Sequence, residues 1–497
     1  GSDLRRSYIM AFTDRLHNRG SISTGYDIDH SISFDKNTNE SLYRTPSSSG
    51  NQRTFTFSAW VKFSHINTGV SDWSTLYSVG DYTSTGPSFR IGHHTNNTLQ
   101  VSFYTNSAYT GYYRTDALFR DTSAWYHFVC AIDTTQATNT NRVKIYVNGE
   151  QASTDSVVSH ISQNYDTGVN TGLQHELGLF TNGGNPTSVA SEYIAETHLI
   201  DGQALAPTEF GEFDDSGIWK PKQYTGSYGT NGVYLDYADA GDLGDDESGN
   251  GNDYSEYNMD ASDQATDTPT NNFAVPNILV GTGGFFVITE GATKGVLSTA
   301  GPGNNVGGVS LVSTIAVSKG KWYFEAQNTN DGDVYLYLGV ADTGSIAYTD
   351  GKTLGGSGSN PSVAWRGGGA FGGNSKVAIN NVVTGDSVTW ETEVVGVALD
   401  LDNGKMYFHK SGTYINSGDP ASGTDNGGQY DLPTAVDDQW LLGVSAYNLA
   451  TWNVNFGGYT AMTISSAETD ANGYGTFEYA PPSGYYALCT KNLAEYG

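Results

Sequence analysis

Two segments of this chain share one pattern, in which an aromatic alternating strand is followed by a strand that runs into an Asn-Gly dipeptide. The first combines residues 125–133 (WYHFVCAID) with residues 142–150 (RVKIYVNGE). The second combines residues 321–325 (KWYFE) with residues 395–408 (VGVALDLDNGKMYF). An Asn-Gly pair between alternating strands predicts a type I′ hairpin turn, because that turn needs positive φ at both central residues. The pattern therefore predicts two β-sandwiches in tandem.

The composition of the chain agrees with two large all-β domains. Its 497 residues suit two domains, since all-β domains often reach roughly 200–250 residues each. The 62 glycines fall between alternating segments, as turn and bulge residues do, and the 12% of aromatic residues excludes a disordered chain. No segment keeps a helical period. The predicted fold class is all-β, with two tandem antiparallel β-sandwiches and a partly ordered connector.

Changes in patterning divide the chain into four predicted parts. Residues 1–27 are polar and locally basic and are predicted to form an N-terminal arm. Residues 28–206 form the first sandwich, a jelly roll, and residues 207–276 form an acidic, glycine-rich connector. Residues 277–497 form the second sandwich with a C-terminal extension. The connector is long for an unstructured linker, so part of it is expected to pack on a neighbouring domain.

The charge of the chain excludes several classes of partner. Its 24 Lys and Arg residues against 53 Asp and Glu residues give a net charge of −29. Such a surface repels phosphate backbones and anionic lipids, so we expect no nucleic-acid partner.

No apolar run is long enough to cross a membrane and no apolar leader opens the chain, so we expect neither membrane insertion nor a signal peptide. Cys130 lies in a strand far from Cys489, which predicts a buried free thiol rather than a disulfide.

Short motifs in both predicted sandwiches resemble known families. Three motifs of the first sandwich resemble concanavalin A-like, laminin-G-type jelly rolls: residues 57–62 (FSAWVK), 125–129 (WYHFV) and 143–149 (VKIYVNG). Three motifs of the second resemble a SPRY sandwich: residues 320–325 (GKWYFE), 338–340 (LGV) and 396–405 (GVALDLDNGK). The order of the two sandwiches is similar to that in structural proteins of marine bacterial viruses, as are residues 201–207, 219–226, 248–253 and 479–484.

The resemblance implies a bacteriophage appendage protein of the tail fibre or spike type. Such a protein is expected on the virion surface after assembly in the host cytoplasm, in contact with other virion subunits. It is expected to attach to a host-surface glycan or protein without enzymatic activity, and to form a homo-oligomer such as a trimer. Two alternatives remain open. One is a polysaccharide-degrading enzyme of the appendage, and the other is a structural decoration or collar protein that does not contact the host.

Aromatic residues in or near loops, some of them beside an arginine, are the candidate ligand-binding residues. Aromatic rings present large faces to the C–H surfaces of sugars, while polar groups bind the hydroxyls. In the first sandwich the candidates are Tyr109, Tyr112, Tyr113 and Arg114, and in the second they are Trp365, Arg366 and Tyr414. By strand alternation Tyr112 and Tyr113 cannot both face inward. In the second sandwich, the long loops near residues 342–361, 366–374 and 414–430 are the expected binding region.

The acidic residues suggest a metal site more readily than a catalytic one. Asp245, Asp246, Glu247 and Asp253 lie close together in the connector and carry oxygen ligands of the kind that Ca²⁺ prefers. A solvated acidic turn also explains these residues and is the favoured interpretation, so no cofactor is expected, with calcium as the alternative. Glycosidases need two carboxylates that face one cleft, and no strand of this chain shows a Glu-x-Asp-x-x-Glu pattern. The chain is therefore predicted not to be an enzyme.

Overall fold

The structure is a computed structural model that falls into two compact units. It describes residues 25–66, 73–154, 157–279, 286–297, 309–330, 335–344, 353–356, 361–367, 375–384, 388–447 and 450–497. Backbone contacts divide these residues between Thr270 and Asn271. We call the described residues up to Thr270 the N-terminal unit and those from Asn271 the C-terminal unit. The described part contains 35 strands and one α-helix, which confirms the all-β fold class.

The N-terminal unit consists of two eight-stranded sheets. Its strands are β1 (Ser31–Ser33), β2 (Ser41–Arg44), β3 (Thr54–Phe63), β4 (Ser74–Val79), β5 (Pro87–His93), β6 (Leu99–Thr105), β7 (Ala108–Arg114), β8 (Trp125–Asp133), β9 (Val143–Val147), β10 (Glu150–Gln151), β11 (Val157–Ser159), β12 (His175–Leu177), β13 (Leu179–Asn182), β14 (Asn185–Val189), β15 (Glu192–Asp201), β16 (Gly211–Phe213), β17 (Trp219–Pro221), β18 (Val233–Leu235), β19 (Ser255–Tyr257) and β20 (Gln264–Ala265). The first sheet has the order β10-β9-β8-β3-β15-β1-β20, with β18 beside β15. The second sheet has the order β11-β7-β6-β5-β4-β12-β2-β19. Strands β13–β14 and β16–β17 form separate hairpins.

The two sheets of the N-terminal unit enclose one apolar core. Alternate residues of β3, such as Phe55 and Phe57, point into this core because successive side chains of a strand face opposite sides. Across the core, the ring of Phe57 stacks on Tyr77 of the second sheet with centroids 5.2 Å apart. The ring of Phe55 meets Phe89 edge-on at 5.5 Å. Side chains from both sheets therefore form a single core, which confirms the predicted sandwich.

Most of the predicted connector belongs to the N-terminal unit. Residues 207–270 supply β16 to β20, and of these β18 pairs with β15, β19 with β2 and β20 with β1. Asp267 follows β20 and is fully buried, with Oδ2 2.6 Å from Lys62 Nζ on β3. Trp125 Nε1 donates to Asp267 Oδ1 at 3.0 Å. This segment completes the edges of both sheets. Residues 1–24 of the predicted arm lie outside the described residues.

The first Asn-Gly dipeptide forms the predicted hairpin turn. Val147 pairs with Glu150, so Asn148 and Gly149 are the two central residues. Their φ values are 48° and 85°, as a type I′ turn requires.

The second Asn-Gly dipeptide forms a longer turn, and the type I′ prediction there is wrong. Asp400 pairs with Lys405, which leaves a four-residue loop. Gly404 has a φ of 65°, whereas Asn403 is outside the positive-φ region. The Asp400 carboxylate accepts the Asn403 backbone N–H at 3.0 Å and its side-chain N–H at 2.8 Å. An Asp side chain that binds nearby backbone stabilises such a loop, so the identity of Asn-Gly alone does not decide the turn.

Gly149 is a point at which the first hairpin tolerates no side chain. A Cβ there would lie 2.5 Å from the Trp219 ring, and the φ of 85° already disfavours other residues. We expect Gly149→Ala to lower the free energy of unfolding of the N-terminal unit by roughly 1–3 kcal/mol. Gly202→Ala is the matched control, because Gly202 has a φ of 90° but no atom within 4 Å of its Cβ position. Calorimetry should show the larger loss for Gly149→Ala; equal losses would contradict a role for the Trp219 contact.

The C-terminal unit also consists of two sheets. Its strands are β21 (Phe286–Thr289), β22 (Lys294–Leu297), β23 (Val309–Val317), β24 (Lys321–Asn328), β25 (Tyr335–Asp342), β26 (Ser362–Gly367), β27 (Val377–Ile379), β28 (Val382–Val383), β29 (Val394–Asp400), β30 (Lys405–Lys410), β31 (Thr413–Tyr414), β32 (Tyr430–Asp431), β33 (Trp440–Tyr447), β34 (Thr451–Asn455) and β35 (Tyr486–Ala487), followed by helix α1 (Thr490–Tyr496). One sheet has the order β21-β22-β34-β24-β29-β30-β31, with β32 beside β30 and β35 beside β24. The other has the order β23-β33-β25-β26-β27-β28.

The C-terminal unit has an apolar core and a second cluster under its C-terminal extension. Trp322, Trp365 and Trp452 are fully buried in the core between the sheets. On the other side of β24, Phe477 and Cys489 of the extension pack in one cluster with aromatic residues of the sheet. The extension therefore covers one face of this sandwich. Cys130 and Cys489 are both buried free thiols, which confirms the prediction for Cys130. None of the described helices has the length and apolar character needed to cross a membrane.

Candidate functional site

The second sheet of the N-terminal unit presents a row of polar and aromatic side chains on the face turned away from the core, which we call the outer face. Strand pairing aligns one residue from each of seven strands in this row: Ser159, Tyr112, Ser102, Arg90, Ser78, Glu176 and Tyr43. Their sequence neighbours Phe89 and Phe103 point into the core. Neighbouring strands lie about 4.8 Å apart, so the row brings together residues that are distant in the sequence.

Arg90 occupies the middle of this row and is held by aromatic rings and hydroxyl groups. It is only 6% exposed, and its guanidinium carbon lies 3.7 Å from the centre of the Trp73 ring. Its Nη1 donates to Ser188 Oγ at 2.9 Å, and its Nη2 donates to Tyr104 Oη at 2.8 Å. Its Nε is buried without a hydrogen-bond acceptor among the described residues. Arginine suits such a position because its planar, weakly hydrated cation stacks on aromatic faces.

Arg114 on β7 forms a second cationic position on the outer face. Its Nε donates to Gln100 Oε1 at 2.6 Å, and its Nη2 donates to His94 Nε2 at 2.8 Å. The His94 ring meets the Trp73 ring edge-on at 4.4 Å. Burial, assisted by the charges of Arg114 and Arg90, lowers the pKa of His94 to about 4, so this histidine is neutral at pH 7 and accepts from Arg114. In the described part of the chain, neither arginine has a carboxylate within 4 Å.

Three tyrosines adjoin the arginines at one end of the outer face. The ring centroids of Tyr104 and Tyr109 are 4.7 Å apart, and those of Tyr109 and Tyr112 are 5.2 Å apart. A shift of register after Phe103 brings Tyr104 opposite Tyr109 across the β6–β7 hairpin. Tyr109 is 47% exposed, whereas Tyr104 is buried. The hairpin therefore offers an accessible aromatic surface next to two cations.

The predicted candidates of the first sandwich separate onto the two faces of β7. Tyr109, Tyr112 and Arg114 lie on the outer face. Tyr113 points into the core, where its hydroxyl accepts the Ile161 backbone N–H at 3.2 Å, so Tyr113 is a core residue. The period of two residues along a strand explains this division.

Several residues of the site were missed by reasoning from the sequence. They are Trp73, Arg90, His94 and Gln100. The available signal was Arg90, a charged residue at an outward position between the core residues of β5. Its neighbours Trp73 and Tyr104 lie on other segments, and only the strand pairing brings them close.

The structure does not bring the candidates of the C-terminal unit together. Trp365 is buried in the core, with its ring centroid 5.7 Å from Trp390. Arg366 follows it on β26 and faces the other side, where its Nη2 donates to Gly355 O at 3.4 Å. Tyr414 contacts His409 edge-on at 5.4 Å. Trp365 is therefore a core residue. Residues 345–352, 357–360 and 368–374 of the predicted binding loops lie outside the described residues.

The acidic loop of the predicted connector is held by its own hydrogen bonds. Asp246 Oδ1 accepts the Tyr234 backbone N–H at 2.9 Å, and Oδ2 accepts the Asn252 backbone N–H at 2.8 Å. Asp253 Oδ1 accepts the Asp246 backbone N–H at 3.2 Å. Within the described ranges, no group of three or more His, Cys, Asp or Glu residues is arranged to hold a metal ion. Calcium at Asp245, Asp246, Glu247 and Asp253 stays a prediction, and these hydrogen bonds favour the turn.

A protein-family model matches part of the N-terminal unit. The model, described as the concanavalin A-like lectin/glucanases superfamily, matches residues 37–183, which is less than a third of the chain. This confirms the concanavalin A-like part of the predicted resemblance over those residues, whereas the viral context stays a prediction. Nothing among the curated proteins matches the chain.

Solved structures with low identity are also similar to the chain. Domains LG4-5 of the mouse laminin alpha1 chain are 10% identical, with a TM-score of 0.30 over 92% of this chain and 89% of that one. A SAP-like pentraxin from Limulus polyphemus is 17% identical, with a TM-score of 0.27 over 37% of this chain and 80% of that one. The SPRY domain of human HERC1 is 10% identical, with a TM-score of 0.24 over 36% of this chain and 94% of that one. Structural similarity with such low identities and TM-scores does not indicate what the chain binds.

Proposed function

We propose that this chain is a non-enzymatic binding protein that holds a glycan on the outer face of the N-terminal unit. The observation that carries this proposal is the contiguous surface of Tyr109 and Tyr112 beside Arg114. A sugar ring would stack on the tyrosines, and Arg114 and Gln100 would bind its polar groups. The family match supports the proposal, because these residues lie within the part of the chain that it covers.

The distribution of carboxylates supports binding without catalysis. The strands of the second sheet contain two acidic residues, Glu176 and Glu256. Glu256 pairs with the core residue Leu42 and lies on the inner side, so Glu176 is the sole carboxylate that these strands place on the outer face. Glycosidases need a pair of carboxylates about 5–9.5 Å apart. We expect polysaccharides to keep their chain length after incubation with the protein, as measured by size-exclusion chromatography; shortened chains would contradict this proposal.

We further propose that the protein is a virion appendage of the tail fibre or spike type. It would be assembled in the host cytoplasm, form a homo-oligomer such as a trimer and contact other virion subunits. Support comes from the viral resemblance of the sequence motifs, such as residues 201–207 and 479–484. Antibodies against the chain should label the tips of purified virus particles in electron micrographs. Absence of label from intact particles, or label confined to a collar, would contradict host attachment.

Removal of the two outer tyrosines is expected to abolish most glycan binding. The double variant Tyr109→Ala/Tyr112→Ala loses two stacking faces, and we expect at least a tenfold weaker affinity, since about 1.4 kcal/mol corresponds to a factor of ten. Tyr257→Ala is the matched control, because Tyr257 is equally exposed but lies on the edge strand β19. A glycan array followed by titration of the best ligand measures the difference. Equal binding by both variants would contradict the proposed site.

A further inference from the structure

The cations of the outer face differ from other cations of the chain in what they contact. Acidic residues outnumber basic ones by more than two to one, and several cations form ion pairs, among them Lys321 with Asp400 and Lys410 with Glu393. Arg90 and Arg114 instead donate to Ser188, Tyr104, Gln100 and His94, which are all neutral. Two guanidinium groups with no carboxylate within 4 Å among the described residues therefore lie on one face of a sheet in an otherwise acidic protein.

Arg114 is the cation that a ligand can reach. Its side chain is half-buried. Its Nε donates to Gln100 and its Nη2 donates to His94, whereas its Nη1 has no acceptor among the described residues. Burial lowers the pKa of Arg114, which means that its charged form is incompletely solvated. An anion at Nη1 would replace the missing solvation, because a charge-assisted hydrogen bond is stronger than a neutral one.

Arg90 adds to the positive potential at this position. It is buried, and its Nε has no hydrogen-bond partner within the part of the chain that the structure describes. Because Arg90 and Arg114 both act on the His94 ring, their charges add at the same place. The nearest carboxylate of the row is Glu176, two strands from Arg90 and therefore about 10 Å away. Burial raises the pKa of Glu176 to about 7, which weakens its opposing charge.

We propose that the outer face selects a sugar that bears a carboxylate or sulfate group, which Arg114 binds while Tyr109 and Tyr112 hold the sugar ring. This inference rests on the proposed function, since it assigns the chemical class of the glycan bound there. A neutral sugar would stack equally well on the tyrosines but would leave both guanidinium groups without an anion.

The test compares anionic and neutral polysaccharides on the full-length chain. Oligosaccharides of alginate supply carboxylates, carboxyl-reduced alginate is their neutral counterpart, and oligosaccharides of carrageenan and agarose form a sulfated and a neutral pair. We expect at least one anionic probe to bind tenfold or more tightly than its neutral partner, and added salt to weaken that binding. Preference for alginate identifies a carboxylate ligand, and preference for carrageenan identifies a sulfate ligand. Equal affinity within both pairs would overturn the inference.

Variants of arginine separate this inference from the proposed function. Arg114→Gln should weaken binding of the anionic probe roughly tenfold or more and weaken binding of its neutral partner by a smaller factor, because only the anion forms a charge-assisted hydrogen bond with Arg114. Arg114→Lys keeps the charge and should retain part of the affinity, and it replaces the first variant if Arg114→Gln does not fold. Arg53→Gln is the control, because it removes the same charge from an exposed pair with Asp166. If neutral and anionic sugars bind equally and only the tyrosine variant loses binding, the inference fails and the proposed function stands. If no probe or array glycan binds, both fail.

Discussion

Replacement of Lys62 by Met is expected to lower the free energy of unfolding of the N-terminal unit by about 3–5 kcal/mol, the range typical for removal of one partner from a buried ion pair. Lys62 Nζ lies 2.6 Å from Asp267 Oδ2, and both side chains are essentially unexposed. Burial lowers the pKa of Lys62, whereas the Asp267 charge opposes that shift. Without Lys62, the Asp267 carboxylate would remain in the interior without this counter-ion, and that uncompensated charge is the main cost.

A second substitution tests this cause directly. The double variant Lys62→Met/Asp267→Asn removes the buried charge but keeps an oxygen for the Trp125 indole N–H, which donates to Asp267 Oδ1. We expect it to recover most of the lost stability, as measured by calorimetry of the full-length chain. Arg53→Met is the surface control and should cause no measurable change, since the Arg53–Asp166 pair is exposed. A double variant as unstable as Lys62→Met would show that packing, rather than charge, causes the loss.

Glu325→Gln is expected to destabilise the C-terminal unit by about 1–3 kcal/mol, the cost of leaving a buried donor unsatisfied. Glu325 on β24 is fully buried, and each of its oxygens accepts one backbone N–H of the extension. Tyr479 donates to Oε1 at 2.8 Å, and Glu478 donates to Oε2 at 2.9 Å. A Gln amide carries one oxygen and one NH₂ group, so either orientation sets two donors against each other. The variant should also become sensitive to proteolysis near residues 478–479, whereas proteolysis as slow as in the wild type would contradict this account.

The stability difference between wild type and Glu325→Gln should depend on pH. Burial raises the pKa of Glu325 from 4.5 to about 7, although its four hydrogen-bond donors oppose that shift. Because the pKa of Glu325 is higher in the folded than in the unfolded protein, its contribution to the free energy of unfolding is complete below pH 4.5. That contribution is lost as the pH rises through 7. Gln does not titrate, so the advantage of the wild type should shrink between pH 5 and pH 8. Burial lowers the pKa of His409 to about 3, with the opposite effect, but both proteins share this residue. A constant difference across this range would contradict a titrating Glu325.

Strand alternation was sufficient to predict the sandwiches but not the site. The period of two residues placed Tyr112 and Tyr113 on opposite faces of β7, as the structure shows. The neighbours of Arg114 could not be predicted, because Gln100 and His94 reach it only through the pairing of β5, β6 and β7. Local patterning contains no information on which strands become neighbours in a sheet, so a site built across strands is invisible to it.

Turn and connector residues show a second limit of the sequence. The same Asn-Gly dipeptide forms a two-residue turn at Asn148 and a four-residue loop at Asn403, because Asp400 binds the second loop through its side chain. Asp267 lies in a segment that was predicted as connector, yet it is the buried partner of Lys62. The loop at Asn403 depends on the Asp400 side chain, and the burial of Asp267 depends on Lys62, which is distant in the sequence. The alternation of polar and apolar residues does not predict such individual contacts.

The most direct test of the central claim is hydrogen–deuterium exchange of the full-length chain with and without the glycan that binds best. A glycan on the outer face should slow exchange in β6 (Leu99–Thr105) and β7 (Ala108–Arg114), the hairpin that carries the tyrosines and Arg114. Exchange in the C-terminal unit should stay unchanged. Protection confined to the C-terminal unit, or to strands of the first sheet of the N-terminal unit, would contradict the account.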